Sequence, residues 1–390
     1  MGLTIIFLVF FVLRSGIPRT LEAFLEVNYF SLIPAFICYA IALMWRTIRG
    51  KVVLQPIGEF HFSTLWKGVI IGYSANNLLP IRLGDLVRSH YLGHTSGFNK
   101  TSIFATIVIE RVFDGLGLLF LMGLFSIFLP TAGLLRAVGQ EAYIDPLVLT
   151  TILIIPFVAA ITFLGMAAAF PQAVKRILIM IFQLFPMSVE TKLTRFFDLF
   201  LEGLLSLRDF EKTVSIFLLT LLVWISESGV FLSIAYGFQL DSFFPDWFLL
   251  AGVLVLTTAV ANLATSIPSA GGGIGPFEFF AQSSLIFFGM DVSLASAYIL
   301  VVHALLLFPV TILGLIYMWI GKSLFRETFW LRSFEALEQT LRDLKLQTHC
   351  SFGRWYPFGY YCLLGAHPDS NVRWCCCRGN ADVRSGLAES

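Results

Sequence analysis

Long apolar runs separated by short polar segments dominate the chain. They lie near residues 2–13, 29–45, 102–129, 147–170, 212–240 and 292–320. A helix crosses a bilayer with roughly 20 apolar residues, so runs of this kind predict transmembrane helices. The pattern predicts an all-α polytopic membrane protein with about six full transmembrane helices, the first of them short.

Two further apolar regions are interrupted by polar and helix-breaking residues. Region 65–92 is broken at 76–85, and region 247–289 is broken by "ATSIPSAGGGIGPFE". Each half is expected to be too short to cross alone. Non-helical backbone at membrane depth persists only where it is buried in protein or lines a wet cavity. Both regions are therefore predicted to be re-entrant hairpins or broken helices.

The two interruptions have a similar order of residues. "ANNLLPIRLGD" at 75–85 and "ANLATSIPSAGGGIGPFE" at 261–278 both run Ala-Asn, a short apolar stretch, Pro, then Gly and an acid. In the predicted topology the first enters from the cytoplasm and the second from outside. Paired broken segments in oppositely oriented halves indicate inverted repeats around a transport site. The alternative is a chance similarity of two loops rich in Gly and Pro.

Composition supports a membrane protein and gives its orientation. The chain is 57% hydrophobic and 13% charged, whereas soluble domains are about 25% charged. Its net charge of +1 argues against a nucleic-acid partner, which needs a basic face. Basic loops stay in the cytoplasm, so both termini are predicted to be cytoplasmic in the inner (plasma) membrane. The basic positions are Arg46, Arg49, Lys51, the segment 171–212, Lys322 and Arg326.

Three segments follow from these patterns. Residues 1–330 are predicted to form the transmembrane domain. Residues 331–347 have helical periodicity with mixed charge, which predicts a cytoplasmic amphipathic helix. Residues 348–390 have neither periodicity nor a coherent composition and are expected to be a disordered or non-native tail. The tail cysteines lack zinc-site spacing, and no metal or cofactor is expected.

Ionisable residues inside the apolar regions are candidates for function. A charge at the bilayer centre costs about 2.5–3.5 kcal/mol on insertion scales, so such residues are functional candidates by default. The candidates are Arg82, Asp85 and Arg88 in the first break, Glu110, Arg111 and Asp114 in "ERVFD", and Glu278 after the second break with Glu227 as a neighbour.

Pairing rules suggest roles for these charges. Asp85 can pair with Arg82 or Arg88 if a helix restarts after Gly84, which leaves one arginine for a phosphate. The two acids of "ERVFD" are expected to reach Arg82 or Arg88 across the bundle. Structural alternatives stay open: "ERVFD" can be a packing network, Asn76 and Asn77 can satisfy backbone freed by Pro80, the glycines can form a flexible turn, and His303 can be a satisfied interior histidine.

Enzyme signatures are absent from the sequence. It contains no H-E-x-x-H and no G-x-S-x-G motif. Asp85 and Asp114 could imitate an aspartyl protease pair, but the neighbouring arginines would hold both carboxylates ionised. The sequence therefore predicts no catalytic residue.

Three stretches together resemble a known family. "GYSANNLLPIRLGDLVRSHYL", "ATIVIERVFDGLGLL" and "SIPSAGGGIGPFE" are similar to the lysylphosphatidylglycerol synthase transmembrane-region family, also called flippase-like domain proteins. The resemblance covers roughly residues 1–330. The matching positions are Asn76, Asn77, Pro80, Arg82, Gly84, Asp85, Arg88, Glu110, Arg111, Asp114, Pro268, Gly272, Gly275 and Glu278.

The resemblance implies a lipid flippase. Family members include the membrane part of the bifunctional synthase/flippase, associated with moving aminoacylated phospholipid, and related domains accompany polyprenyl-phosphate sugar transferases. It implies that Arg82 and Arg88 meet a phosphate, and that Glu110, Asp114 and Glu278 balance those arginines. Synthase activity is not expected, because no soluble aminoacyl-transferase domain follows the last span.

Two other function classes stay open. One is a non-transporting scaffold that recruits a separately encoded lipid-modifying or glycosyl-transferase enzyme. The other is an enzyme acting on a lipid-linked sugar. Membrane lipids are the expected partners and nucleic acid is not; a separate transferase and a second copy of the chain are further candidates.

Overall fold

The structure is a computed structural model. It describes residues 2–79, 83–125, 127–129, 170–183, 187–203, 209–244, 246–267, 269, 271–320, 362–365 and 374–377, with scattered positions between 133 and 167. The chain divides into two compact units, Met1–Trp319 and Ile320–Ser390. The candidate site lies within the first unit.

The described part of the first unit is helical. Its helices are α1 (Gly2–Ser15), α2 (Ile17–Glu26), α3 (Leu32–Leu54), α4 (Phe62–Leu78), α5 (Gly84–Ser96), α6 (Lys100–Phe125), α7 (Pro171–Phe182), α8 (Met187–Gly203), α9 (Phe210–Gly237), α10 (Trp247–Ala264), α11 (Pro276–Phe287) and α12 (Val292–Ile320). Short 3₁₀ turns lie at Tyr29–Ser31, Leu240–Phe243 and Gly271–Gly273.

Local sequence signals explain where several helices begin. Proline occupies the first turn of α2, α7 and α11, where its missing N–H costs nothing because that N–H has no partner within the helix. Asp246 precedes α10 and its carboxylate accepts from the Leu249 N–H at 2.7 Å. Asp209 caps α9 in the same way. Such caps satisfy backbone donors that the first turn leaves unpaired.

Several helices are long and apolar enough to cross a membrane. The described stretches that qualify are Tyr29–Leu54, Phe210–Gly237, Trp247–Ala264 and Val292–Ile320, and α1 with α2 adds one more if that pair, bent by 78°, counts as a single span. These elements confirm the predicted all-α polytopic membrane fold. The count of six full spans and the inverted-repeat relationship stay predictions. Only scattered positions of the span predicted at 147–170 are among the described residues, so this span stays a prediction.

Two boundaries differ from the prediction. Helix α3 continues to Leu54 instead of ending near residue 45, so Arg46 and Arg49 lie inside the helix and are buried rather than in a basic loop. Helix α10 has 18 residues. Without the rest of the interrupted region, it is already long and apolar enough to cross a membrane. The expectation that each half of the second interrupted region is too short to cross is therefore wrong for its first half.

The first break separates α4 from α5, which pack as an antiparallel hairpin. A Cβ at Gly68 would meet Leu92, and one at Gly72 would meet Arg88, so the contacts run in opposite directions along the two helices. At the break, Gly84 lies against the Gly72 carbonyl oxygen and the Asn76 backbone, which leaves no room for a Cβ. Only glycine permits this close approach.

The second break separates α10 from α11 and contains the glycine run. Gly272 and Gly273 have φ of 74° and 78°, a left-handed conformation that side chains with a Cβ disfavour. A Cβ at Gly271 would overlap the carbonyl oxygen of Asn77. The two breaks therefore touch each other at their tips.

Apolar side chains of α3, α9, α10, α11 and α12 pack around these breaks. Two tyrosine hydroxyls tie the helices together: Tyr298 donates to the Phe231 carbonyl at 2.7 Å, and Tyr39 donates to the Leu306 carbonyl at 2.8 Å. Inside a bilayer, close packing and hydrogen bonds hold helices together, because lipid is as apolar as the side chains. These contacts fix α3 and α9 against α12.

The second unit contains two short strands, β1 (Cys362–Gly365) and β2 (Trp374–Cys377). They pair antiparallel with Cys362 opposite Cys377. The predicted amphipathic helix at 331–347 lies outside the described residues. The division into a transmembrane domain, a cytoplasmic helix and a tail from 348 to 390 stays a prediction.

Candidate functional site

The acids of α6 pair with arginines from two other helices. Glu110 receives two hydrogen bonds from Arg88 of α5, at 2.7 and 3.0 Å, and both side chains are 2% exposed. Asp114 receives one from Arg49 of α3 at 2.6 Å, and Arg49 also donates to the Thr220 hydroxyl at 2.9 Å. The expectation that "ERVFD" reaches Arg88 agrees with this geometry, whereas the partnership of Asp114 with Arg49 was not predicted.

Asp85 forms a second fork with Arg111 of α6. Its two carboxylate oxygens accept from Arg111 Nη2 at 2.7 Å and Nε at 3.0 Å. Arg111 also reaches Asp114 at 3.3 Å and the Tyr73 hydroxyl at 3.4 Å. Two parallel bonds between guanidinium and carboxylate give the strongest and most directional pairing. The helix does restart at Gly84, as expected, but this fork joins Asp85 to α6.

Arg46 of α3 pairs with Glu227 of α9 through one terminal nitrogen. Its guanidinium carbon lies 5.2 Å from the Tyr73 ring centroid and 5.4 Å from that of Trp224, distances typical of cation–π contacts. Among the described residues, Nε and Nη1 of Arg46 have no hydrogen-bond partner. An unsatisfied buried donor is costly. Nε and Nη1 of Arg46 can therefore donate to an additional anionic or polar ligand.

The charges of this network of ion pairs cancel. Isolated charges of this kind would be expensive at membrane depth, and pairing with good hydrogen-bond geometry offsets part of that cost. The balance consists of four arginines and four acids: Arg46, Arg49, Arg88 and Arg111 against Asp85, Glu110, Asp114 and Glu227.

A cavity of about 390 Å³ lies between the two breaks. Asn76, Asn77 and Asp85 line it from the first break and Gly272 and Gly273 from the second. Further polar lining comes from Arg46, Tyr39, Tyr73, Arg111, Asp114, Glu227, Asn262, Thr265, Ser266, Ser269 and His303. Its size falls at the low end of small-molecule sites, which are about 300–1,000 Å³.

Glu278 and His303 lie against the glycine run. Glu278, in the first turn of α11, accepts from the Gly275 N–H at 2.7 Å with one carboxylate oxygen and contacts His303 Nδ1 with the other. His303 Nε2 lies 3.1 Å from the Gly272 carbonyl oxygen. Both side chains are buried, and the His303 ring lines the cavity. The alternative that His303 is a satisfied interior histidine agrees with its hydrogen bonds. It does not explain why His303 lines the cavity.

The asparagines of the first break bind protein groups at the edge of the cavity. Asn76 Oδ1 accepts from the Gly84 N–H at 2.8 Å, so it satisfies backbone next to the break. Asn77 Nδ2 donates to the Thr311 hydroxyl of α12 at 2.9 Å. The predicted site residues Pro80, Arg82 and Pro268 lie outside the described residues.

The predicted site residues do not share one position. Asn76, Asn77, Asp85, Arg111, Asp114 and Gly272 line the cavity. Arg88 and Glu110 pair with each other and are not part of the cavity lining. Gly84, Gly275 and Glu278 lie at the breaks, where they make close backbone contacts. A substrate role for each stays a prediction. Among the described residues, no cluster of three His, Cys, Asp or Glu could hold a metal ion.

Several cavity residues escape prediction from the sequence. Sequence patterns place Arg46 in a cytoplasmic loop and give no signal for Tyr39 or Tyr73. One signal points to Arg46 and Arg49: they are three residues apart, and apolar Val52–Leu54 follows Lys51, so the helix continues with both arginines on one face. Residues three apart in a continuing helix indicate a buried charged stripe rather than a loop.

Fold and site together define an integral membrane protein with a charged cavity between two broken helical segments. Residues 1–314 match the family described as the lysylphosphatidylglycerol synthase TM region. The chain belongs to this family, as the sequence motifs indicated.

Two curated relatives match parts of the chain. The UPF0104 membrane protein MJ1595 of Methanocaldococcus jannaschii is 26% identical over 152 residues, which cover 38% of this chain and 43% of that protein. Glycosyltransferase AglD of Haloferax volcanii is 30% identical over 100 residues, covering 25% of this chain and 16% of that protein. The matches thus span less than half of either relative. No solved structure matches.

Proposed function

We propose that this protein moves an anionic lipid between the two leaflets of a membrane. The lipid is a phospholipid, aminoacylated or not, or a polyprenyl-phosphate-linked lipid. The headgroup occupies the cavity between the two breaks, and the acyl or prenyl chains stay in the bilayer. Membership of the family supports a role in membrane lipid metabolism or transport.

The observation that carries the proposal is the position of Arg46 on the cavity. Its Nε and Nη1 donors have no partner among the described residues, although the side chain is only 5% exposed. Guanidinium groups bind phosphate oxygens with directional, charge-assisted hydrogen bonds. The guanidinium carbon of Arg111, which also lines the cavity, lies 5.5 Å from the centroid of the same Tyr73 ring. A phosphate in the cavity would therefore meet two cations.

The acids of the cavity suit an aminoacylated headgroup. Asp114 and Glu227 line the same space as Arg46 and could face an ammonium group while the arginine faces the phosphate. This arrangement accommodates both a plain anionic headgroup and a zwitterionic or cationic one.

We assign the protein to the plasma membrane with both termini in the cytoplasm. The basic residues of the segment 171–212 and the pair Lys322 and Arg326 support this orientation. Arg46 and Arg49 no longer contribute to the argument because they are buried. Labelling of single introduced cysteines from either side of the membrane would test it.

The transport proposal is tested in liposomes that contain lipids with labelled headgroups. The variant Arg46→Gln with Glu227→Gln keeps the site neutral while removing the cation. We expect leaflet exchange to fall about tenfold or more, because a charged hydrogen bond contributes roughly 1.5–3 kcal/mol and each 1.4 kcal/mol is a factor of ten.

A matched control is Lys175→Gln with Asp198→Asn. This pair, at 2.6 Å, is partly exposed and neither residue lines the cavity. Exchange should be unchanged in the control. Equal exchange in both double variants, or no exchange of any lipid by the folded wild type, would contradict the proposal.

A scaffold for a separately encoded transferase is the second candidate. It is favoured by the ion pairs that join the four arginines and four acids of the network, which a packing role would also produce, and by the similarity to part of a glycosyltransferase. Under this function the variant Arg46→Gln with Glu227→Gln would leave partner capture intact. Substitutions in the segment 171–212 and in residues 55–61, the part of the predicted loop 46–64 that lies between α3 and α4, would abolish it.

A further inference from the structure

Both ring nitrogens of His303 face oxygen atoms. Nδ1 contacts Oε1 of Glu278, and Nε2 lies 3.1 Å from the carbonyl oxygen of Gly272. The ring also stacks on Phe277, with centroids 4.1 Å apart. These contacts fix the imidazole between the glycine run, α11 and α12.

A neutral histidine and an ionised glutamate together carry one proton fewer than these contacts require. A backbone carbonyl can only accept, so Nε2 must carry a hydrogen. The contact between Nδ1 and the carboxylate oxygen then needs a second hydrogen, on either atom. A neutral imidazole has a single N–H. The pair therefore holds an extra proton and has no net charge.

We propose that Glu278 and His303 form a proton-binding site that fastens the glycine run to α12. With the proton bound, His303 holds Gly272 and Glu278 at the same time. Release of H⁺ to water in the cavity leaves neutral histidine beside ionised glutamate, with a net charge of −1. The remaining hydrogen stays on Nδ1, because the ionised carboxylate of Glu278 is a stronger acceptor than a backbone carbonyl. Nε2 thus loses its hydrogen, its bond to the Gly272 carbonyl is lost, and the glycine run is freed from α12.

The backbone of the break can respond to this loss. Gly272 and Gly273 have positive φ, and glycine changes between backbone conformations at little steric cost. Gly275 remains tied to Glu278 through its N–H. The movement is therefore confined to the turn that lines the cavity and touches Asn77.

Other ionisable groups lie around the pair. On the cavity, Asp85, Asp114 and Glu227 are each paired with an arginine. Helix α10 carries no titratable side chain. Further ionisable side chains on the packed elements include arginines, lysines and tyrosines, whose ordinary pKa values lie far above neutral. Among them are Arg14 of α1, Tyr39, Arg46, Arg49 and Lys51 of α3, Lys67 and Tyr73 of α4, Arg111 of α6, and Tyr298 and Tyr317 of α12.

The consequence for lipid movement rests on the function proposed above; the proton site itself does not. A turn that closes one wall of the cavity when protonated would make leaflet exchange depend on pH. A pH difference across the membrane would then bias the state of the site.

The proton is measured directly with the full-length protein in lipid nanodiscs. Nitrogen NMR of labelled histidine reports the ring nitrogens, and infrared spectroscopy reports the carboxyl group. His303→Gln and Glu278→Gln assign the signals among the six histidines and the acids. Glutamine can still donate and accept hydrogen bonds but does not titrate.

We expect the wild type to show the extra proton at low pH and to lose it in one step as pH rises. The step should vanish in His303→Gln. A neutral imidazole beside an ionised carboxylate at every pH would overturn the site. A pair that keeps its proton at every pH would overturn the switch.

Leaflet exchange is then followed over the same pH range. The wild-type rate should change together with the titration, and the rate of His303→Gln should be independent of pH. His94→Gln, on the exposed side of α5, serves as the control and should keep the wild-type profile. Absence of exchange in all three proteins would refute the transport function, while the spectra would still decide the proton site.

Discussion

The two breaks in the bundle are held in different ways. The first, between α4 and α5, is fixed by arginine–carboxylate forks, Arg111 to Asp85 and Arg88 to Glu110. The second, between α10 and α11, is a run of glycines tied to α12 through His303. Arginine stays charged at physiological pH, whereas histidine changes its charge. The first break is therefore held by groups whose charge persists, whereas the second responds to a proton under the proposal above.

The contact between the breaks gives this difference a consequence. Gly271 of the second break lies against Asn77 of the first, and both breaks line the cavity. A change in the second break would reshape one wall while the ion pairs keep the other wall in place. Under the proposed transport function, the headgroup would bind at these discontinuous helices, as substrates do in broken-helix transporters, and the glycine turn would be the part of the site that moves.

Removal of Arg88 should have the largest effect on stability. Arg88→Gln deletes both hydrogen bonds to Glu110 and leaves a buried carboxylate whose nearest remaining cation is Arg49, at 3.6 Å. Breaking one side of a buried pair costs about 3–5 kcal/mol. Denaturant unfolding in detergent micelles should show a loss of this size.

Adding Glu110→Gln to Arg88→Gln should recover most of that loss, because no charge then stays unpaired. Wild-type stability in Arg88→Gln alone would mean that the fork does not hold the first break. Lys175→Gln, which breaks a partly exposed pair, should change stability by less than about 1 kcal/mol.

Substitution of Gly84 tests the close approach at the first break. In Gly84→Ala the new Cβ would overlap the Gly72 carbonyl and the Asn76 backbone, neither of which can move without shifting α4. Overpacking typically costs about 1–3 kcal/mol. Gly123→Ala in α6 is the control, because its Cβ would have no atom within 4 Å. Equal unfolding midpoints for the two variants would argue against a tightly packed first break.

The fold and part of the site could be predicted from sequence. Long apolar runs gave the membrane helices, and Pro80 with the glycine run gave the two breaks, because helix-breaking residues interrupt a helix wherever it packs. Helix periodicity also placed Glu110 and Asp114 on one face. These properties are local along the chain, so a single sequence carries them.

Partner choice could not be predicted, because it depends on how helices distant in sequence pack. Asp85 has nearby arginines in the chain, yet its described fork is with Arg111, 26 residues away. The sequence pattern predicted a loop position for Arg46, because basic residues normally follow the end of a membrane span. A buried acid on α9, Glu227, makes its burial tolerable, and that pairing spans 181 residues.

Substitution of Gly272 distinguishes an effect on the stability of the protein from an effect on the movement of the second break. Gly272→Ala places a Cβ on a backbone with φ of 74°, which costs about 1–2 kcal/mol, and its closest contact is the flexible end of Leu307 at 2.7 Å. The loss of stability should therefore be smaller than for Arg88→Gln, while leaflet exchange should fall strongly because the turn stiffens.

Gly289→Ala provides the matched control for this prediction. Gly289 has φ of 91°, and a Cβ added there would have no atom within 4 Å, so the variant carries the same backbone strain outside the break. It should lose similar stability but retain exchange. If Gly289→Ala slows exchange as much as Gly272→Ala, then general destabilisation, rather than the second break, controls transport.

The smallest expected effect concerns the shortest of the hydrogen bonds from Asn77 of the first break to α12. Thr311→Val keeps the side-chain shape but removes the hydroxyl that accepts from Asn77 Nδ2 at 2.9 Å. Thr258→Val is the control, because its hydroxyl bonds within its own helix, to the Leu254 carbonyl. A single hydrogen bond contributes about 0.5–1.5 kcal/mol, so thermal unfolding should show a loss of that order for Thr311→Val beyond the control. Helix α12 also carries His303. Thr311→Val should therefore alter the pH profile of exchange only if the two breaks are coupled through this helix. An unchanged profile would show that they are coupled through their direct contact at Asn77 and Gly271.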